Sequence, residues 1–233
     1  PYSGVLTIAA INGPNNMVIS GEAAALNEAR AELRKRGIRV ERLTVSHAFH
    51  SPLMDPMLDD LDQITARMTF AEPQIELITN LTGQPLGPKR TLDGPYWRKQ
   101  ARETVRFREG IASLHAQGYS QFIEIGPSPV LLGMGQRCLP EEANMWLPSL
   151  RKNRDDWQSM LNSLSTLYVQ GAAIDWNTFD RDYSYSHESL PTYPFQRQRY
   201  WMVEQDLKAT VAASFSQEAE DASRSDIPDN WLY

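Results

Sequence analysis

Val5-Leu6-Thr7-Ile8-Ala9-Ala10-Ile11-Asn12-Gly13-Pro14-Asn15-Asn16-Met17-Val18-Ile19-Ser20 opens on an unbroken apolar run and closes on a shorter one. A run of that length is too short for a typical helix, so residues 5–11 are predicted to be a buried strand. Residues 12–16 supply turn chemistry, because Gly and Asn tolerate positive φ and Pro fixes its own. Residues 17–20 then form a second short strand. Ser20 is placed to cap a helix over residues 22–36, with Gly37 just past its end. Ala23, Leu26, Ala29 and Leu33 give that helix its apolar face. The cations Arg34, Lys35 and Arg36 fall where they complement the negative end of the helix dipole. Residues 38–45 return as a strand. Strand, turn, strand, helix, strand is most of a ferredoxin-like unit.

Met54, Met57, Leu61, Ile64 and Met68 recur at helical spacing, which predicts an amphipathic helix over 52–68 with the methionines in its core face. Residues 75–79 read as a strand, and Phe107, Ile111 and Leu114 line another helix. Residues 121–125 form a strand running into Gly126-Pro127, and 130–135 begin a further helix. Strands alternating with helices indicate an α/β class. Trp157, Met160, Leu161, Leu164, Leu167 and Tyr168 make one more amphipathic helix. From 175 to 201 the chain is rich in aromatics, Pro and Arg; residues 193–201 show neither helical nor strand periodicity, and that much aromatic surface in an irregular segment needs something to pack against. Residues 204–228 are rich in Ser, Ala, Asp and Glu and read as a flexible linker, and 230–233 look like the start of another element.

Composition narrows the function classes. The 233 residues are 41% hydrophobic and 22% charged, enough apolar material for a substantial core, and the net charge of −6 carries no basic stripe for nucleic acid. One cysteine, Cys138, excludes an internal disulfide framework and fits a reducing, cytoplasmic compartment. There is no apolar run of about 18 residues to span a membrane. The chain opens on Pro1 with no initiator Met or signal segment, as though cut from something longer.

Two of the four histidines fall together in Ser46-His47-Ala48-Phe49-His50-Ser51-Pro52, between a strand and a helix, where active-site groups commonly sit. No third histidine or carboxylate stands at ligand spacing, so no metal site is expected. Imidazole titrates near pH ~6.5 and exchanges protons readily at neutral pH, which favours a general base. Residue types alone leave a structural or surface histidine equally open. The chain offers no nucleophile to complete that chemistry. No Gly-x-Ser-x-Gly elbow occurs, and Cys138 lies in an apolar setting that suits buried filler.

Read as motifs, the chain resembles the acyltransferase domains of modular type I polyketide synthases. Asn12-Gly13-Pro14, Val18-Ile19-Ser20-Gly21, Thr44-Val45-Ser46-His47-Ala48-Phe49-His50-Ser51-Pro52-Leu53-Met54, Asn80-Leu81-Thr82-Gly83, Tyr96-Trp97, Val105-Arg106-Phe107 and Phe122-Ile123-Glu124-Ile125-Gly126-Pro127 follow in the family's order. Leu190-Pro191-Thr192-Tyr193-Pro194-Phe195-Gln196-Arg197-Gln198-Arg199-Tyr200-Trp201 resembles the linker that wraps back onto the ketosynthase. The resemblance covers roughly residues 5–202.

It implies a partial ferredoxin-like small subdomain over 1–46 and the C-terminal part of an α/β-hydrolase-like acyltransferase subdomain over 47–145. A post-acyltransferase linker over 146–203 and a flexible inter-domain linker over 204–233 would follow. It implies a Ser-His ping-pong transfer of malonyl from coenzyme A to the phosphopantetheine thiol of an acyl carrier protein. His50 matches the catalytic histidine, and Gln100 matches the position whose backbone carbonyl orients that imidazole. His47, Ala48 and Phe49 match the signature of the malonyl-selecting branch, with Phe49 filling the space an α-methyl would need. The family's serine, in a Gly-His-Ser-x-Gly segment, is absent from this sequence. The implied partners are the N-terminal part of the acyltransferase, the ketosynthase, the carrier protein and malonyl-CoA, within a homodimeric synthase. No cofactor is bound by the chain itself, and neither nucleic acid nor membrane is expected as a partner. The rival reading is a remnant that has lost catalysis and serves as a docking module.

Overall fold

The computed structural model describes residues 2, 4–139, 144–184, 188–198, 208, 209 and 211. The chain divides into two compact units, Pro1–Ile174 and Asp175–Tyr233.

In the first unit, β1 (Leu6–Gly13) and β2 (Asn16–Gly21) form an antiparallel hairpin across Pro14 and Asn15, as the turn chemistry predicts. Two register shifts, at Ala9 and at Asn12, interrupt the ladder. An extra residue in one strand increases local twist and re-aims the side chains around it. Ala9 is buried, and its carbonyl accepts from the Val105 amide at 2.9 Å while the Ile11 amide donates to the Val105 carbonyl at 2.9 Å. Val105 thereby occupies the free edge of β1.

Helix α1 (Ala23–Lys35) follows. Ser20 does not cap it: the hairpin register runs on to Gly21, which keeps Ser20 in the ladder opposite Thr7 and leaves Glu22 at the helix start without a side-chain cap. The other end is as predicted. The Gly37 amide donates to the Arg34 carbonyl and the Ile38 amide to the Leu33 carbonyl, both at 3.0 Å, with Gly37 at φ 76°. That is a Schellman closure.

The strand expected at 38–45 is absent. Residues 38–45 carry no ladder, and Ile38, Leu43 and Val45 are exposed. A β pattern becomes a strand only against a partner, and β1 already pairs with β2 and Val105. The same holds at 75–79, where only Ile78 forms an isolated bridge, to Pro85, and the loop closes on itself through Thr79 and Gly83. The ferredoxin-like expectation therefore reduces to a hairpin and one helix.

Residues 52–68 split into a 3-10 turn, Pro52–Met54, and α2 (Asp55–Thr65). Ser51, fully buried, starts the turn: its hydroxyl donates to the Ala48 carbonyl at 2.6 Å and accepts from the Leu53 amide at 3.3 Å. Helix α3 (Gly94–Arg102), which periodicity did not single out, packs antiparallel against α2. Gly94 meets Thr65, Arg98 pairs with Asp59 at 3.0 Å and with Asp62, and Arg102 pairs with Asp55 at 2.6 Å.

Helix α4 (Phe107–Ala116) leads to β3 (Gln121–Glu124), which pairs in parallel with β4 (Met145–Pro148), a strand missed in the sequence. Phe122 and Trp146 face each other across that pair with rings stacked at 4.4 Å. Between the strands lies α5 (Val130–Gly135), as predicted, and the Glu124 carboxylate accepts from the amides of Leu131 and Leu132 at its start. Helix α6 (Asp156–Val169), capped by Asp155, also matches expectation.

The substantial core expected from composition is thin. Ala9, Ala29, Met54, Leu58, Leu132, Leu139 and Leu147 are the buried apolar side chains among the described residues, while Ile75, Ile125 and Val169 are almost fully exposed. Among the described residues both sheets are two-stranded, so each has little area with which to cover a neighbour.

In the second unit, Asp175 caps α7 (Trp176–Asp180) through Thr178. Residues 188–198 have no regular structure. Arg199, Tyr200 and Trp201 of the aromatic segment lie outside the described residues. So do the expected linker and terminal element over 204–233, apart from 208, 209 and 211.

Two glycines separate conformational cost from steric cost. A methyl group on Gly37 would meet open space, so Gly37→Ala costs about 1–2 kcal/mol for its left-handed φ alone. Gly83, at φ 68°, would place a Cβ 2.4 Å from that of Glu109, so Gly83→Ala is expected to cost about 3 kcal/mol or more. Equilibrium urea denaturation checks the order: equal losses would contradict the close packing of the 79–86 loop on α4.

Candidate active site

His50 stands immediately before the buried Ser51 and the 3-10 turn, with its backbone at φ 58°. A non-glycine residue in this left-handed region costs of order 1–3 kcal/mol and persists where its surroundings over-determine it. Three hydrogen bonds do so here. The His50 amide donates to the Ala101 carbonyl at 3.2 Å, the His50 carbonyl accepts from the Thr7 hydroxyl at 2.8 Å, and the imidazole Nδ1 lies 2.9 Å from the Glu103 carbonyl. At about 1 kcal/mol net each, they offset the backbone cost.

A carbonyl only accepts, so Nδ1 carries the ring proton and Nε2 carries the lone pair. That is the tautomer a general base needs. The residue is half-buried, and the Glu103 carbonyl fixes the orientation of its ring.

The orienting carbonyl is Glu103, and this corrects the expectation of Gln100. Gln100 lies inside the last turn of α3, where carbonyls run along the helix axis. Glu103 is the first residue past the helix, at ψ 164°, so its carbonyl turns away from the axis and reaches the imidazole. The Gln100 side chain instead accepts from the Tyr96 hydroxyl at 3.4 Å. Thr7, Ala101 and Glu103 were not singled out in the sequence. The cue was available for Glu103: Thr104 and Val105 are β-branched and end the helix, so the next carbonyls are the free ones.

His47, Ala48 and Phe49 lie on the same loop as His50. His47 is exposed, with Nδ1 2.9 Å from the Ser46 hydroxyl and its ring 5.8 Å from that of Phe49. Phe49 is 47% exposed, and the Ala48 carbonyl holds Ser51. Among the described residues, no three His, Cys, Asp or Glu side chains gather as a metal site would require.

Cys138 is far from His50 in sequence and bonds elsewhere. Its thiol donates to the Asn12 carbonyl at 3.3 Å and to that of Met134 at 3.4 Å. Burial pushes its pKa up, against a smaller opposing pull from Arg108. A thiol set between two carbonyls, with burial raising its pKa, suits packing better than nucleophilic attack.

Residues 3–174 match the family described as "Acyl transferase domain". Polyketide synthase GfsA of Streptomyces halstedii is 37% identical over 203 residues, covering 86% of this chain and 3% of that protein. The acyltransferase domain from the second module of the salinomycin polyketide synthase superposes with a TM-score of 0.73 at 37% identity, covering 83% of this chain and 45% of that one. Malonyl CoA-acyl carrier protein transacylase from Clostridium perfringens does so with a TM-score of 0.65 at 26% identity, covering 73% and 51%. The chain thus spans a small part of the curated synthase and about half of the solved domains.

The geometry at Cys138 gives a direct expectation. At neutral pH its alkylation by iodoacetamide should run about ten-fold or more slower than that of free cysteine, and accelerate as pH rises. Mass spectrometry of the tryptic peptide reads the rate, and fast labelling at pH 7 would restore the thiol as a candidate nucleophile.

Proposed function

The chain belongs to the acyl transferase domain family, and from that premise we propose that it is the histidine-bearing part of a polyketide synthase acyltransferase. It transfers malonyl from coenzyme A to the phosphopantetheine thiol of an acyl carrier protein. The observation that carries this reading is the His50 imidazole, whose Nδ1 faces a backbone carbonyl and whose Nε2 is left as the base.

The steps follow from that tautomer. A serine hydroxyl outside these 233 residues attacks the malonyl thioester carbonyl while Nε2 takes its proton. The tetrahedral intermediate collapses, the carbon–sulfur bond breaks, and the imidazolium returns the proton to the departing coenzyme A thiolate. The phosphopantetheine thiol then gives its proton to Nε2 and attacks the acyl-serine ester. The serine oxygen leaves with that proton, and the dyad is regenerated. The Glu103 carbonyl supports each imidazolium stage, since its hydrogen bond strengthens when the donor is charged.

In this reading residues 1–46 belong to the small subdomain, 47–145 to the large one, 146–203 to the linker toward the ketosynthase, and 204–233 to an inter-domain linker. The synthase is cytoplasmic and homodimeric. Its other partners are the ketosynthase and the carrier protein. Similarity to the malonyl CoA-acyl carrier protein transacylase of Clostridium perfringens supports malonyl as the acyl group, and His47, Ala48 and Phe49 act as the selecting loop. Phe49 is the bulk an α-methyl would meet.

Malonyl loading and transfer by the full-length protein test the reading. His50→Ala is expected to lower transfer by about 10²–10⁴-fold, the usual worth of a general base. Undiminished transfer would remove His50 as the general base. Phe49→Ser is expected to raise methylmalonyl use relative to malonyl by about ten-fold, the lower range for one methyl in a fitted pocket. An unchanged ratio in competition assays would remove Phe49 from selectivity.

A further inference from the structure

The antiparallel pair α2–α3 is joined by rungs along its length. Thr65 against Gly94 closes one end, Arg98 with Asp59 and Asp62 spans the middle, and Asp55 with Arg102 closes the end next to His50. Arg102 lies between Ala101 and Glu103, the two residues whose carbonyls hold the His50 amide and imidazole. Asp55 is the first residue of α2, reached from His50 through Ser51 and the 3-10 turn. A closed ring results: His50 to Asp55 along the chain, Asp55 to Arg102 through the ion pair, and Arg102 back to His50 through two carbonyls.

We propose that the Asp55–Arg102 ion pair is a positioning device for the His50 imidazole. The inference rests on the general-base reading of His50. The last carbonyls of a helix have no amide partner within it, so the end of α3 is held by what it touches. It touches Asp55 through Arg102 Nε at 2.6 Å and His50 through the carbonyls on either side. With the pair broken, the Ala101 and Glu103 carbonyls lose their tie to α2 and shift away from the His50 amide and ring.

Arg102 and Asp55 are 27% and 55% exposed, and a pair so placed contributes little to global stability. The Arg98 rung keeps the helices packed. Geometry at His50 and folding are therefore separable. Each charge also complements the dipole of its own helix, and that role alone predicts a small loss of stability with no kinetic consequence.

The test uses the full-length protein with Asp55→Asn, Arg102→Gln and, as a control one turn away, Asp59→Asn. Hydrogen–deuterium exchange of the peptide spanning residues 47–54 reads the His50 amide, and steady-state transfer kinetics read the base. The expected result for Asp55→Asn and Arg102→Gln is faster exchange in that peptide and a kcat lower by roughly ten-fold or more at unchanged KM. The melting temperature should stay near that of Asp59→Asn, which is expected to leave exchange and kcat as they are. Asp55→Glu, which keeps the charge, should recover part of the kcat. Unchanged exchange, or kcat falling only in step with the folded fraction, would overturn the proposal. Faster exchange with unchanged kcat overturns it too, and His50→Ala tells the two failures apart. If that variant still transfers malonyl, it is the general-base reading that has failed.

Discussion

The amide and the ring of one histidine end on two carbonyls of one helix terminus, and the rest of the first unit is arranged to permit that. His50 reaches Ala101 with its backbone and Glu103 with its imidazole only because its φ is positive. That conformation in turn needs the Thr7 hydroxyl on its carbonyl, which brings β1 to the loop. Two residues past Glu103, Val105 pairs with the edge of β1, and the Thr104 hydroxyl donates to the Ile8 carbonyl at 2.6 Å. The hairpin, the histidine loop and the end of α3 therefore share one hydrogen-bonded junction. Moving any one of them changes the direction of the imidazole.

The junction is polar in a unit whose apolar burial is modest. Ser51 is the most deeply buried side chain among the described residues, and it serves the backbone through Ala48 and Leu53. Thr65 and Thr79 are buried with their hydroxyls bonded. Hydrogen bonds and helix caps fix direction better than apolar contact does, because contact is indifferent to orientation and a lone pair is not. An imidazole held by one nitrogen with the other left open depends on direction.

What could be read from the sequence follows the range of the forces involved. Gly37 marked the end of α1, and the Pro14–Asn15 turn marked the hairpin, because both signals are local. Helices α1, α2, α4 and α6 were legible from their apolar spacing, and the His47–His50 loop from residue type. Residues 38–45 and 75–79 carry strand-like composition, but a ladder requires a second strand, and sequence holds no record of which edges are taken. Ser20 fitted the cap position and was claimed by the hairpin, whose register extends one residue further. Helix α3 was missed because its apolar face is sparse and charges do its packing. Gln100 was the wrong carbonyl for the same kind of reason: motif position located the neighbourhood, and the end of the helix decided which oxygen was free.

The bonds that make the junction span long stretches of chain: 43 residues from Thr7 to His50, 53 from His50 to Glu103, and 96 from Ile8 to Thr104. At a synthesis rate of about 5–20 residues per second, His50 leaves the ribosome's active centre roughly 3–10 s before the carbonyl that will hold its ring. Helices α1 and α2 close on local contacts and can form in that interval, whereas a loop tied to distant partners pays its closure entropy before it is rewarded. The histidine therefore spends its first seconds as an ordinary surface residue. It acquires its tautomer and its direction only when the end of α3 has emerged.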